Sequence, residues 1–140
     1  MKTISFLPFA LLMLLAFDIV FAQCDPEFLK QKGIKKLSEE SGYTFLKSYV
    51  VDDPKGKKYS YIFSQGANYM ITLANYNPDN KGVYITIYDS NNQKIASSFT
   101  EGKFFPAIAF TCHRTGIYQM HFSFEDTNKF CAAGVLGMKR

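Results

Sequence analysis

The chain has 140 residues and a formal net charge of +4, and 47% of its residues are hydrophobic. This length is typical of one domain and leaves little room for a second core. The basic excess is modest and forms no dense stripe interleaved with aromatic residues, so the composition argues against a nucleic-acid-binding protein.

Residues 1–22 predict a secretory signal peptide. Lys2 gives a positive start, Phe6–Phe17 is an apolar run, and a small-residue cleavage site ends at Ala22, ahead of Gln23. A helix that spans a membrane needs about 20 apolar residues, and this run is shorter. We therefore expect export to the periplasm or the cell exterior, with no transmembrane segment after cleavage.

Cys24, just after the predicted cleavage site, leaves an alternative open. In bacterial lipoproteins such a cysteine carries a lipid, and the signal then prefers leucine and small residues before it. Here Phe21, Ala22 and Gln23 precede Cys24, and glutamine fits the last position poorly. The sequence favours a protein without a lipid anchor, with lipidation of Cys24 as the second interpretation.

Residues 23–42 predict an N-terminal helical segment. Asp25–Glu27 combines a capping residue, a proline tolerated at the first helical position and an acid suited to the positive helix end. We expect one short helix, continuous or broken, within Pro26–Ser41. Gly33 should weaken its middle, and Gly42 should end it.

The two faces of this helix differ in character. An apolar stripe of Leu29, Ile34 and Leu37 is expected to cover a sheet, with a partner-binding face as the alternative. The basic face is expected to be solvated, with weak attraction to an anionic surface as the alternative. Its lysines are Lys30, Lys32, Lys35 and Lys36.

From Tyr43 onward the hydrophobic period changes to two, which predicts strands. Turn residues separate eight short segments, a spacing typical of a sandwich or barrel. Residues 43–140 therefore predict an all-β domain, a jelly-roll-like antiparallel β-sandwich of about eight strands. The expected strands are Tyr43–Val51, Lys58–Gln65, Asn68–Asn75, Gly82–Asp89, Gln93–Phe99, Phe104–Cys112, Ile117–Phe124 and Phe130–Met138.

Alternation within these segments separates a core face rich in aromatic and β-branched side chains, which suit a pleated surface. If Phe104–Cys112 and Ile117–Phe124 form a hairpin, Cys112 lies near its turn, and Glu125–Asn128 is expected to close the last hairpin. The expected core residues include Tyr59, Tyr61, Phe63, Tyr69, Ile71, Leu73, Val83, Ile85, Ile87, Ile108, Phe110, Tyr118, Met120, Phe122 and Phe124.

Four stretches in the central part of the chain carry a family resemblance. Tyr61–Gly66 is a strand ending in a glycine turn, and Tyr69–Leu73 is the strand that follows. Val83–Asn91 leads into a hairpin, and Thr115–Tyr118 opens the penultimate strand. This part resembles the bacterial pre-peptidase C-terminal domain, a jelly-roll sandwich of the galactose-binding-like kind. The resemblance implies that fold and an accessory role, here as a stand-alone relative without an attached hydrolase.

The three cysteines suit an exported protein with one disulfide and one remaining thiol. Cys112 lies on a core face and is expected to be a buried free thiol. A disulfide needs Cα atoms within about 7 Å, and the expected hairpin separates Cys112 from Cys131. Cys24–Cys131 is therefore the preferred pair, which would attach the N-terminal segment to the last strand.

Patterns for catalysis or metal binding are missing from the sequence. Cys112 and His113 are neighbours on a strand and point to opposite faces, and no nucleophile elbow accompanies them. Cys112, His113 and His121 match no zinc spacing. We expect no enzyme, no metal and no cofactor, with calcium at loop oxygens as a minor alternative. Its candidate ligands are Asn77, Asp79, Asn80, Asp89, Asn91 and Asn92.

Exposed aromatic residues are the ligand-binding candidates. Tyr84 and Tyr88 lie opposite the core face of their strand, and Tyr76 lies at a loop edge. Such rings stack on sugars or anchor protein contacts. The sequence predicts an exported, non-enzymatic binding or accessory module for an unknown glycan or protein. The alternative is a fixed structural subunit of a bacterial cell-envelope assembly, docked through the basic helix or an uncovered apolar face.

Overall fold

The computed structural model describes residues 24–77 and 81–140. The predicted signal peptide, residues 1–22, lies outside the described residues. Two four-stranded antiparallel sheets pack face to face, and a helix covers the outer face of one of them. The predicted all-β antiparallel sandwich is confirmed. None of the described helices is long and apolar enough to cross a membrane.

The described residues form one α-helix, a π-helical segment and ten strands. Helix α1 spans Pro26–Ile34 and continues as the π-helical segment Lys35–Glu40. The strands are β1 (Thr44–Val51), β2 (Lys57–Phe63), β3 (Asn68–Asn75), β4 (Val83–Tyr88), β5 (Lys94–Ser97), β6 (Phe99–Thr100), β7 (Lys103–Phe104), β8 (Ala107–Thr111), β9 (Gly116–Phe124) and β10 (Ala132–Lys139).

The chain passes repeatedly between the two sheets. Sheet A has the strand order β1-β10-β3-β8, and sheet B has the order β2-β9-β4-β5, while β6 and β7 form a separate ribbon. Strands β1 to β4 therefore alternate between the sheets, and so do β8 to β10. This pattern places loops that cross from one sheet to the other at both ends of the sandwich.

Both predicted hairpins are wrong. Phe104–Cys112 and Ile117–Phe124 lie in different sheets, because β8 pairs with β3 whereas β9 pairs with β2 and β4. Glu125–Asn128 closes no hairpin, since it connects β9 of sheet B to β10 of sheet A. A period of two shows which face of a strand is apolar but not which strand lies beside it. Alternation therefore could not separate a hairpin from a crossing.

Two of the predicted strands are each divided. Gln93–Phe99 is interrupted at the buried Ser98, whose hydroxyl accepts from the Ile85 N–H and whose own N–H donates to the Ile85 carbonyl, both at 2.9 Å. Phe104–Cys112 is interrupted at Pro106, which has no N–H to donate to a ladder. The described chain thus has more and shorter strands than the sequence predicted.

The core between the sheets consists of the faces that alternation predicted. Phe63 is fully buried, and its ring centroid lies 4.5–5.2 Å from those of four other aromatic rings. Pairs at such separations add about 0.5–1.5 kcal/mol each beyond burial. The four partners are Tyr61, Tyr69, Phe110 and Tyr118.

Helix α1 covers the outer face of sheet A. The Asp25 side chain accepts a hydrogen bond from the Phe28 N–H at 3.1 Å, and a proline follows at the start of the helix, as predicted. Leu29 and Leu37 are fully buried against β3 and β10. The prediction that the apolar stripe covers a sheet is confirmed for Leu29 and Leu37, whereas Ile34 is only half-buried. Gly42, at a φ of 72°, follows the helical segment.

Gly33 is a point of close contact between helix α1 and sheet A. A Cβ added there would lie 2.5 Å from Cγ2 of the buried Val135 in β10. The Gly33 carbonyl also accepts a hydrogen bond from the Thr72 hydroxyl at 3.0 Å. The missing side chain therefore lets the helix approach the sheet.

Cys24 and Cys131 form a disulfide with Cα atoms 5.4 Å apart, which confirms the predicted pair. The bond joins the residue before the helix cap to the residue before β10, across a sequence separation of 107. In the chain-entropy model, closing a loop of roughly 100 residues stabilises a fold by about 4–5 kcal/mol. The bonded sulfur of Cys24 cannot carry a lipid, so the lipid-anchor alternative is not compatible with this disulfide.

We predict that Gly33→Ala lowers the free energy of unfolding by about 1–3 kcal/mol, the usual cost of overpacking a filled core. Helix propensity alone would make the alanine variant more stable by about 1 kcal/mol. The sign of the change in the free energy of unfolding therefore shows whether close packing or helix propensity dominates. Urea denaturation followed by circular dichroism measures the change. Gly116→Ala is the control, because a Cβ there meets no atom of the described residues within 4 Å. A more stable Gly33→Ala protein would contradict the close contact.

Candidate functional site

A cleft, hereafter the end cleft, lies at one end of the sandwich between two loops. One is the β4–β5 turn, Asp89–Gln93, and the other is the β8–β9 connection, Cys112–Thr115. The loops meet because β4 and β9 pair with Tyr88 opposite Gln119, so that β4 ends near the point where β9 begins. The cavity has a volume of about 240 Å³.

The lining of the end cleft is mixed in polarity. Asp89, Asn91 and Gln93 contribute polar side chains from one loop, and His113 and Arg114 contribute them from the other. Two apolar lining residues from neighbouring strands are Ile95 and Phe110. A concave site with apolar walls and a few convergent polar groups is the usual form of a small-ligand site.

The β8–β9 connection is held rigidly from two sides. The Arg114 carbonyl accepts hydrogen bonds from the Tyr118 hydroxyl at 2.6 Å and from the Cys112 thiol at 3.2 Å. The Gly66 N–H donates to the Cys112 carbonyl at 2.9 Å, and the Cys112 N–H donates to the Ala67 carbonyl at 3.0 Å. The exposed side chain of Arg114 therefore extends from a fixed backbone.

Asp89 organises the opposite loop. Its Oδ1 accepts hydrogen bonds from the N–H groups of Asn91 and Gln93, both at 2.9 Å. Asn92 adopts a left-handed φ of 58°, which asparagine tolerates. Among the hydrogen bonds and ion pairs of the described residues, none involves Oδ2 of Asp89. That oxygen is available to a ligand.

Turn formation accounts for the side chains of the calcium alternative. Asp89 already directs one oxygen at backbone amides, and the Asn77 amide donates to the Lys81 carbonyl and the Thr127 hydroxyl. Asp79 and Asn80 lie outside the described residues. In the part of the chain that the structure describes, no group of three or more His, Cys, Asp or Glu side chains is placed to hold a metal ion.

Both charged residues of the end cleft, Asp89 and Arg114, influence the phenol of Tyr118. Burial and the hydrogen bond with Cys112 raise the pKa of the Tyr118 phenol to about 12. The Asp89 carboxylate also raises this pKa, whereas the Arg114 guanidinium lowers it. The two charges therefore act on the same phenol from different loops, although no ion pair joins them among the described residues.

The structure does not bring the three candidate tyrosines together. Tyr84 and Tyr88 lie on the outer face of sheet B, 5.2 Å from the Phe99 ring and 4.6 Å from the His121 ring respectively. Tyr76 follows β3, and its hydroxyl accepts a hydrogen bond from the Asp25 N–H at 3.1 Å. None of the three is among the residues that line the end cleft.

Cys112 and His113 both line the end cleft, whereas His121 does not. Cys112 is a buried free thiol, 2% exposed, whereas the neighbouring His113 is exposed. His121 lies on the outer face of β9, where burial and the nearby Lys58 lower its pKa. No hydrogen bond among the described residues links the thiol to either imidazole.

Sequence reasoning missed the end cleft but named several of its residues for other reasons. Asp89 and Asn91 were calcium candidates, Cys112 a buried thiol and His113 a neighbour of that thiol. Arg114 was not singled out. The sequence signal that could have indicated the end cleft is that two polar segments each follow a core strand. Which strands lie side by side depends on segments far apart in the chain, so the sequence did not show that these two segments meet.

No protein-family model matches this chain, and no curated protein is significantly similar to it. The resemblance to pre-peptidase C-terminal domains therefore stays a prediction. The functional proposal is therefore based on the residues of the end cleft.

We predict that Tyr118→Phe lowers the free energy of unfolding by about 1 kcal/mol or more, because it removes a donor to the Arg114 carbonyl. Tyr49→Phe is the matched control. The Tyr49 hydroxyl is buried and has no hydrogen-bond partner among the described residues, so its removal should leave stability unchanged or raise it. Denaturant titrations of both variants measure the contrast, and equal losses would contradict the Tyr118–Arg114 contact.

Stability should also fall at alkaline pH. Burial raises the pKa of both Tyr49 and Tyr118 to about 12, against roughly 10 for an unfolded tyrosine. A phenol that ionises less readily when folded stabilises the fold fully below pH 10, and this contribution is lost as pH rises through 12. The fall between about pH 10 and 12 should be shallower in each phenylalanine variant.

Proposed function

We propose that this protein is an exported, non-enzymatic β-sandwich module that binds a glycan in the end cleft. The observation that supports this proposal best is that polar residues of two loops and apolar residues of neighbouring strands line one cavity. The Cys24–Cys131 disulfide supports a working site in an oxidising compartment, the periplasm or the cell exterior. A distant relation to pre-peptidase C-terminal domains is part of the proposal, and the antiparallel sandwich supports it.

The chemistry of the lining suits a sugar. Asp89 offers a carboxylate acceptor, and Asn91 and Gln93 offer amides that both donate and accept. Sugars present hydroxyls that do the same. Phe110 and Ile95 supply apolar surface for the C–H groups of a pyranose ring. The cavity volume of about 240 Å³ lies at the small end of ligand sites, so the end cleft suits one sugar unit of a glycan and not a folded partner.

The test is a glycan screen with the mature chain, residues 23–140, followed by calorimetric titration of the best oligosaccharide. The double variant Asn91→Ala/Gln93→Ala should weaken binding about five- to hundredfold, because each lost hydrogen bond contributes about 0.5–1.5 kcal/mol. The backbone N–H groups that hold the Asp89 turn remain in this variant.

Tyr84→Ala is the control for the site, because Tyr84 lies on the outer face of sheet B and outside the end cleft. Its binding should match that of the unmodified chain. Loss of binding in Tyr84→Ala with full binding in the double variant would move the site to the sheet face. Absence of any glycan ligand would reject the proposed function.

A second candidate function, a fixed subunit of a bacterial cell-envelope assembly, is favoured by one observation. Ile62 and Ile117 face each other across β2 and β9 on the outer face of sheet B, 63% and 56% exposed. A subunit docked there should co-purify with a stoichiometric protein from envelope extracts. Ile62→Ser/Ile117→Ser should abolish that recovery, whereas Phe105→Ser, which removes another exposed apolar side chain, should not.

A further inference from the structure

Resting on the proposed glycan-binding function, we infer that the end cleft selects acidic sugars, with Arg114 binding the carboxylate and Asp89 accepting a sugar hydroxyl. Both residues line the same cavity from different loops. Neither takes part in an ion pair among the described residues. Opposite charges that share a small cleft without pairing are both available to one ligand.

Arg114 is the carboxylate-binding group. Its backbone is held by the Tyr118 hydroxyl at 2.6 Å and the Cys112 thiol at 3.2 Å, so the base of the side chain is fixed. A guanidinium presents parallel N–H donors that match the two oxygens of a carboxylate. The neighbouring His113 lines the end cleft from the same loop.

Asp89 is the hydroxyl-binding group. Its Oδ1 is engaged by the N–H groups of Asn91 and Gln93, which fixes the orientation of the carboxylate. Its Oδ2 has no hydrogen bond among the described residues and can accept a sugar hydroxyl. The amide of Gln93 lies in the same lining and can bind an adjacent hydroxyl.

Simpler ligands complement only one of the two residues, Arg114 or Asp89. A neutral sugar would leave the Arg114 guanidinium without an opposite charge, and a compact anion such as phosphate would be repelled by Asp89. A ligand with a carboxylate on one side and hydroxyls on the other complements both residues. Internal hexuronate units of a polysaccharide and terminal sialic acids share this chemistry.

The experiment titrates the mature chain with three probes, namely a galacturonic acid trimer, the corresponding neutral galactose trimer and N-acetylneuraminic acid. The galacturonic acid trimer or N-acetylneuraminic acid should bind roughly tenfold or more tightly than the neutral trimer, in line with a hydrogen-bonded charge pair. Binding of the galacturonic acid trimer would indicate a hexuronate-containing polysaccharide, and binding of N-acetylneuraminic acid would indicate a terminal sialic acid. Inorganic phosphate should not compete.

Arg114→Gln should reduce the affinity for the acid to that for the neutral trimer, and Arg114→Lys should recover only part of it because lysine is a point charge. Asp89→Asn retains an oxygen for the turn and should weaken acidic and neutral sugars alike. Lys55→Gln, in the β1–β2 turn, is the charge-matched control and should change nothing. Thermal melting checks that each variant is folded.

The possible outcomes separate the two proposals. Equal binding of acidic and neutral trimers, unaffected by Arg114→Gln, overturns the acidic-sugar inference and leaves the glycan-binding function in place. Competition by phosphate overturns the inference in favour of a simple anion site. An equal loss in Lys55→Gln overturns it in favour of diffuse charge attraction. No binding of any sugar overturns both proposals.

Discussion

The fold depends on β10, a strand whose two faces are both buried. Its inner residues, among them Leu136, pack in the core between the sheets, and its outer residues, among them Val135, pack under the helix. Both layers come close because small residues alternate with larger ones. A Cβ at Gly134 would lie 2.4 Å from the Phe122 ring, and one at Gly137 would lie 2.5 Å from Leu37. Larger side chains at these positions would push apart the layers that β10 joins.

The disulfide and the helix extend this arrangement to the start of the chain. Cys131 lies directly before β10 and bonds to Cys24, directly before the helix cap. The covalent bond and the buried contacts of Leu29 therefore hold the same segment on the same sheet. Within residues 24–77 and 81–140, no helix covers Ile62 and Ile117, which are exposed on the outer face of sheet B.

At the end cleft, in contrast, polar side chains are exposed to solvent while the backbone that bears them is held in place. The buried pair Cys112 and Tyr118 holds this backbone by donating to the Arg114 carbonyl. Core residues thus fix a loop whose side chains are exposed. The Asp89 carboxylate fixes the facing loop through two backbone amides. Preorganised loops of this kind lose little conformational freedom on binding, which favours affinity.

Much of this molecule could be derived from local patterns in the sequence. Alternation identified the core faces that contain Phe63 and Tyr118, and the residues Asp25 and Pro26 marked the helix start. The cysteine count indicated one disulfide, but the correct pair Cys24–Cys131 was reached through a hairpin that the structure does not contain. The core faces and the helix start follow from the side-chain period of a strand and the unpaired amides of a helix. Only the tertiary structure decided that β8 and β9 lie in different sheets, that Gly33 is a contact and that Asp89 and Arg114 share a cleft. Each depends on which distant segment buries an apolar face, and a local period carries no information about that partner.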